Sequence, residues 1–249
     1  MDHLEKSARL YQGCGPTILR FGSLFMNGQP IVLGAQYQGG YPLQFGDSVP
    51  GHEISWVLVN GLLIADRCLL NYISWDDLNE KGLVFGRRVH IDNQYYLCRL
   101  LKVGENENFP NEWDEILTAA GDESDDLWHW NDAYFWGQES CHGHDNLRAL
   151  RGFDSARLWS IDFSCSRSKL FGYRPVLEPL HEEHPSLSPG IRIVVYGKDS
   201  LIQGILVEET EYDLIIDCPS ISGSCDFARK LIDGKIVLDK AGIQHISAI

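Results

Sequence analysis

Three short stretches carry residue types from which a reactive site could be built. "CHGH" places Cys141, His142 and His144 within four residues, and thiolate and imidazole are zinc ligands. A closed tetrahedral site needs further ligands, and no second knuckle with its own paired spacing follows, so the stretch reads as a polar loop. "HEEH" (His181 to His184) spaces its histidines three apart, whereas zinc proteases need them one helical turn apart on one face. Pro185 follows directly, and the stretch reads as linker. Ser, His and Asp are plentiful, but no Gly-x-Ser-x-Gly elbow occurs, and the glycine cluster "QGCGP" (Gln12 to Pro16) precedes no apolar helix. Neither a nucleophile elbow nor a phosphate loop is predicted. No catalytic residue, metal or cofactor is expected.

Recognition chemistry is better represented. "WHWNDAYFW" gathers Trp128, Trp130, Tyr134, Phe135 and Trp136. Large aromatics mostly fill cores, but this alternation turns some inward and some outward. It leaves Trp130 and Tyr134 as surface candidates. The stretch "RGFDSARLWSIDFSCSRSKLFGYRPVLE" (Arg151 to Glu178) has ends of fixed character and a polar, irregular middle. Arg and Trp are enriched where binding energy concentrates, so Arg157, Trp159, Asp162 and Arg167 are the candidate contact residues. Core packing remains an open alternative for Trp159, as does solvated surface for Arg157 and Arg167. Arg151 and Arg174, bracketed by glycine or proline and apolar neighbours, are expected to be structural, each paired inside its domain.

These residues need a frame, and strand signals dominate it. "PIVLGAQY" (Pro30 to Tyr37), "EISWVLVNGLLIADRCLL" (Glu53 to Leu70) and "RRVHIDNQYYLCRLL" (Arg88 to Leu101) are rich in branched and aromatic residues, and Asp92-Asn93 marks a hairpin turn. Two short helices are predicted. One starts at Ser74 with Asp77 three residues on and stops at Gly82; the other uses Asn111, Asp114 and Gly121 in the same way. "LWHWNDAYFWGQE" (Leu127 to Glu139) fits either a short helix or an irregular segment. "PLHEEHPSLSPG" (Pro179 to Gly190), with three prolines and a charged centre, reads as a linker. A compact all-strand pattern follows, long enough for a small barrel. The expected domains are 1–182 and 183–249, and the expected class is α+β, mostly β.

Composition excludes several roles. A formal charge of -14, from 21 basic and 35 acidic residues, repels phosphate backbones and anionic membranes, so nucleic acid is an unexpected partner. The one basic cluster runs from Arg167 to Lys169. No stretch approaches the roughly 18 apolar residues of a membrane span, and the N-terminus has no apolar signal region. Seven scattered cysteines without a Cys-x-x-Cys pair fit reduced, mostly buried thiols and a cytoplasmic location.

The closing motif also resembles a known superfamily. "LRALRGFDSARLWS…SKLFGYRPVLE" is similar to the core of the formylglycine-generating-enzyme and C-type-lectin superfamily, whose pattern is Arg-Gly-Gly-Ser-Trp, a polar excursion, then Gly-Phe-Arg. Arg151-Gly152 and Gly172-Tyr173-Arg174 carry the match, with Phe153 in place of the second glycine. "FGDSVPGHEISWVLVNGLLIADRCLL" looks like the opening strands of bacterial and prophage domains of this type, and the resemblance spans roughly residues 40–180. It implies a C-type-lectin-like domain with short helices. The oxidase branch carries a cysteine pair just after the Arg-Gly-Gly-Ser segment. Here "GFDSARLWSIDFS" has none, and without two thiolates copper ligation of that kind is unavailable. A diverged oxidase would have to use Cys165 or Cys141. The binding branch includes phage receptor-binding proteins that vary the excursion and keep its ends. That branch implies a non-catalytic phage or prophage protein, in the host cytoplasm or virion, binding a host factor or receptor through 151–174. The last sixty or so residues look like an Sm-like barrel, with Asp213 at the usual RNA-contacting Asn and Asp239-Lys240 replacing Arg-Gly. An SH3-like barrel gives the same pattern. The barrel is expected to serve homo-oligomer formation, docking of a protein or small-molecule ligand, or, in a counter-defence role, nucleotide binding.

Overall fold

The computed structural model describes residues 16–180 and 187–248. Gln12 to Gly15 of the glycine cluster, and His181 to His184, lie outside the described residues. The protein is mostly β, with 48% strand against 10% helix, which fixes the class as α+β with strands dominant. It divides into two compact units: residues 18–57 with 62–178, and residues 179–249 with 58–61 and the segment up to Thr17. Among the described residues no helix is long and apolar enough to cross a membrane.

The larger unit begins with β1 (Thr17–Phe21), β2 (Ser23–Met26), β3 (Gln29–Pro30), β4 (Ala35–Gln36) and β5 (Leu43–Gly46). The expected single strand from Pro30 to Tyr37 is thus two short ones. Between them Val32 is 72% exposed and Gly34 takes φ +82, so the chain turns where a continuous strand would have buried its branched residues. Next come β6 (Ile54–Val59), β7 (Leu62–Ala65), β8 (Leu70–Asn71), helix α1 (Trp75–Glu80), β9 (Arg87–Ile91) and β10 (Gln94–Leu100). The turns Asn60-Gly61 and Asp92-Asn93 hold both central residues at positive φ, as right-twisted two-residue hairpins require.

Helix α2 (Glu112–Ala120) is capped as expected by Asn111, whose side chain accepts from the Asp114 N–H, and ends at Gly121 with φ +67. The undecided segment becomes a helical turn, α3 (Asp125–Trp128), a bend, and then β11 (Tyr134–Cys141). Strands β12 (His144–Gly152), β13 (Trp159–Phe163), β14 (Phe171–Tyr173) and β15 (Pro175–Pro179) follow. The sheets run β1-β6-β7-β15-β10-β9, β13-β12-β11-β14-β8-β4 and β3-β2-β5. Trp56, Trp113, Trp128 and Trp136 fill the core. Their indole N–H groups donate to the carbonyls of Phe21, Ala156, Asp122 and Ile73 at 2.7–3.0 Å. Large rings can therefore be buried without orphaning a donor.

The C-terminal strands are β16 (Arg192–Tyr196), β17 (Ser200–Glu209), β18 (Asp213–Gly223), β19 (Ala228–Lys230), β20 (Ile236–Asp239) and β21 (His245–Ala248). They form one antiparallel sheet in the order β19-β20-β18-β17-β16-β21. Ile193, Val195, Ile202, Leu206, Leu214, Ile216, Ile236 and Leu238 pack into one buried cluster. One face of a single sheet can bury itself this way only by curling. Among the described residues the ladder runs from β19 at one end to β21 at the other.

Candidate recognition site

The excursion between Arg151 and Arg174 is anchored at both ends. Arg151, on β12, is 2% exposed. Its Nε and Nη2 donate to Val103 O at 3.2 and 2.9 Å, Nη1 to Arg157 O at 2.5 Å, and Nη2 also to Asp114 Oδ2 at 3.0 Å. Arg174 is fully buried and departs from the expected pairing. Its Nη2 donates to the carbonyls of Trp128 and His129, and the guanidinium carbon lies 4.7 Å from the Phe135 ring and 5.5 Å from that of Trp113. Nε and Nη1 have no hydrogen-bond partner among the described residues. Burial pulls both arginines below their ordinary pKa, against the opposing pull of Asp114 on Arg151 and of Cys68 on Arg174.

The glycines of the motif are there for lack of room. A Cβ on Gly152 would sit 2.3 Å from Ala133 O, and one on Gly172 would sit 2.5 Å from Cys68 Sγ. Beside Gly152, Phe153 takes φ +81, the left-handed region that costs a bulky residue on the order of 1–2 kcal/mol. Phe153 thus takes a backbone conformation that glycine adopts without strain. Two groups of interactions hold it. Its N–H donates to Trp130 O and Ala133 O at 2.9 and 3.0 Å, and its ring stacks on Tyr134 at 4.9 Å and 6°. Phe171 closes on Tyr134 from another side at 6.2 Å. His129 and Asp132 also take positive φ, at 43° and 56°. Backbone strain of this kind gathers at sites whose shape is imposed by their surroundings.

The structure therefore gathers Tyr134, Phe153 and Phe171 as a half-buried aromatic patch, to which the half-buried Trp130 is joined by its carbonyl, which accepts from the Phe153 N–H. Arg157 adjoins it through Glu123. Trp130 Nε1 donates to Glu123 O at 2.9 Å, while Arg157 binds the Glu123 carboxylate at 2.6–3.0 Å and Asp114 at 3.2 Å. Trp159 lies opposite Arg151 in the β12–β13 ladder, half-buried, with its N–H on Gly104 O at 3.0 Å. Asp162 and Arg167 belong to another neighbourhood. The Asp162 carboxylate accepts from the Phe163 N–H and from Ser166 Oγ. Arg167 clamps Asp77 with two bonds of 2.7 and 2.6 Å. Arg157 and Arg167 are thus committed to ion pairs within the chain. The sheet-edge strand β13 also exposes Ile161 (37%) and Phe163 (54%) on one face. Sequence reasoning missed Phe153, Phe171, Ile161 and Phe163; the departure from the second glycine was the available signal for the first.

Among the described residues no group of three or more His, Cys, Asp or Glu side chains is placed to hold a metal. The thiols differ from the expectation of mostly buried cysteines: Cys68, Cys98 and Cys225 are buried, Cys141 is half-buried, and Cys165 and Cys218 are exposed. Burial pushes the Cys98 thiol up to about 12 and raises Cys68 despite nearby Arg174. Such thiols are protonated at neutral pH and are poor nucleophiles. No family model matches the chain, and no curated protein or solved structure matches it.

Proposed function

We propose that this chain is a recognition protein without catalysis, of the phage or prophage type to which its closing motif is similar, and that it binds a host factor or receptor beside the excursion. The observation that carries this reading is the strained, stacked pair of Phe153 and Tyr134, with the Phe171 ring against Tyr134. Rigid aromatic rings at a surface supply contact area at low entropic cost, and anchored ends keep that surface in place while its residues vary. Arg157 shapes this surface through Glu123 instead of reaching out as a free cation.

The test exploits the backbone at Phe153. Phe153→Gly removes the ring yet suits φ +81, so the frame is retained. Affinity capture from bacterial lysate with the full chain is expected to enrich a host protein that Phe153→Gly and Tyr134→Ala both lose while remaining folded by circular dichroism. Undiminished capture by both folded variants would remove the aromatic patch from the binding surface.

A further inference from the structure

Strand β13 ends its sheet, and among the described residues β12 is its single neighbour. In an antiparallel ladder the backbone groups of alternate residues point at the neighbour and away from it. Ser164 N–H donates to Asn146 O at 2.9 Å and Gly152 N–H to Leu158 O at 3.2 Å. With Arg148 opposite Asp162 and Leu150 opposite Ser160 in the register, Leu158, Ser160, Asp162 and Ser164 turn their backbone groups to β12. Those of Trp159, Ile161 and Phe163 therefore turn away from it. At Phe163 both are spent within the chain: the N–H donates to Asp162 Oδ1 at 2.7 Å, and the carbonyl accepts from Ser166 N–H at 2.9 Å. The N–H and C=O of Trp159 and of Ile161 have no partner among the described residues.

Folded proteins blunt such edges with basic side chains or proline. Strand β9 carries Arg87 and Arg88, β19 carries Arg229 and Lys230, and β3 carries Pro30. Strand β13 reads Trp-Ser-Ile-Asp-Phe, and its one charge, Asp162, is turned back on Phe163 N–H and Ser166 Oγ. Ile161 and Phe163 lie exposed on one face. The free groups complement themselves. Laid antiparallel about a two-fold axis at Ser160, two copies place Trp159 of each opposite Ile161 of the other. Trp159 N–H then donates to Ile161 O and Ile161 N–H to Trp159 O, each bond made twice by symmetry, and no free group is left over. The side chains agree with this register. Trp159 against Ile161 is an aromatic and β-branched cross-strand pair. Ser160 meets its own copy, Asp162 meets Leu158, and Phe163 meets Arg157, so no like charges stand opposite. An axis at Ile161 would instead need the backbone groups of Phe163, which are already engaged.

We propose that the β13 edge is a self-association surface, on which a second copy of this chain pairs antiparallel through Trp159 and Ile161. The pairing is isologous and closes at a dimer, and it does not rest on the recognition reading. The test is sedimentation velocity of the full chain over a concentration series, with folding followed by circular dichroism. A reversible shift from monomer to dimer is expected as concentration rises. Ile161→Lys keeps the backbone but charges the edge, and is expected to weaken the dimer about tenfold, because symmetry removes the cross-strand pair twice. Val32→Lys, the same change at an exposed turn residue, should leave it unchanged. Ser160→Cys reads the register: residues facing each other in a non-hydrogen-bonded pair lie about 4.5 Å apart at Cα, within reach of a disulfide. It is expected to form a disulfide-linked dimer under mild oxidation beyond any formed by the parent. A monomer at every concentration, equal association of parent and folded Ile161→Lys, equal weakening by Val32→Lys, or Ser160→Cys linking no more than the parent would each overturn the assignment.

Discussion

A guanidinium moved out of water loses hydration worth several kcal/mol, and the two arginines that end the excursion recover it differently. Arg151 does so with a carboxylate and two carbonyls, through all three of its nitrogens. Arg174 relies on two carbonyls and two aromatic faces, a weaker set for a fully buried charge. Much of what Arg174 contributes must then be volume and the satisfaction of the Trp128 and His129 carbonyls. Arg174→Ala is expected to cost about 3–5 kcal/mol, since it leaves a cavity as well as unpaired carbonyls. Arg174→Met fills the space and removes the buried charge, so its loss should be about 1–3 kcal/mol. Urea unfolding of the three proteins checks the order. Equal losses would mean that the charge and its carbonyl bonds, and not the volume, hold the site.

The first turn of α1 shows how an element is built partly from near neighbours and partly from far ones. Ser74 Oγ accepts from Asp77 N at 3.1 Å and Asp77 Oδ2 accepts from Ser74 N at 3.0 Å, a reciprocal capping box. Arg167, 90 residues further along, clamps the same carboxylate. Burial works against ionisation of Asp77, but the bonds from Arg167 and Ser74 prevail and hold its pKa at about 2, below the ordinary 3.8. A depressed carboxylate contributes stability above its unfolded pKa and loses it as pH falls through the folded one. The stability gap between the parent and Asp77→Asn should therefore be full above about pH 5 and shrink between pH 4 and pH 2, as thermal melts across that range would record. A gap unchanged over the range would mean that ionised Asp77 is not what stabilises the turn. The serine cap was legible in the sequence because its partner is three residues away, as were the Asn111 cap and the Asp92-Asn93 turn. The clamp was not, and Arg157 and Arg167 looked like free contact residues because nothing local reveals Glu123 or Asp77 as partners. Trp130 and Tyr134 were legible from alternation. The φ of Phe153 and the free edge of β13 were not, since both arise where distant segments meet.

At the scale of the whole chain, each unit carries a core of its own. The C-terminal sheet buries Ile193, Val195, Ile202, Leu206, Leu214, Ile216, Ile236 and Leu238 against one another, and Ser188, Pro189 and Gly190, which lead into it, are exposed. That core argues that the strands can fold without the rest. Two features limit how well. A domain of about sixty residues buries only about 60% of its unfolded surface. The compact unit also takes in Thr17 and residues 58–61, which an excised C-terminal piece lacks. Residues 187–249 expressed alone are thus expected to give a β-sheet circular dichroism spectrum and a cooperative urea transition, with a stability no greater than about 3–5 kcal/mol. In the full chain, trace protease should cut within 179–190 and leave a fragment of that size intact. An unfolded piece, together with a full chain that resists cleavage there and melts in one transition, would make the two units a single folding entity whose C-terminal core cannot form without Thr17 and the turn at 58–61.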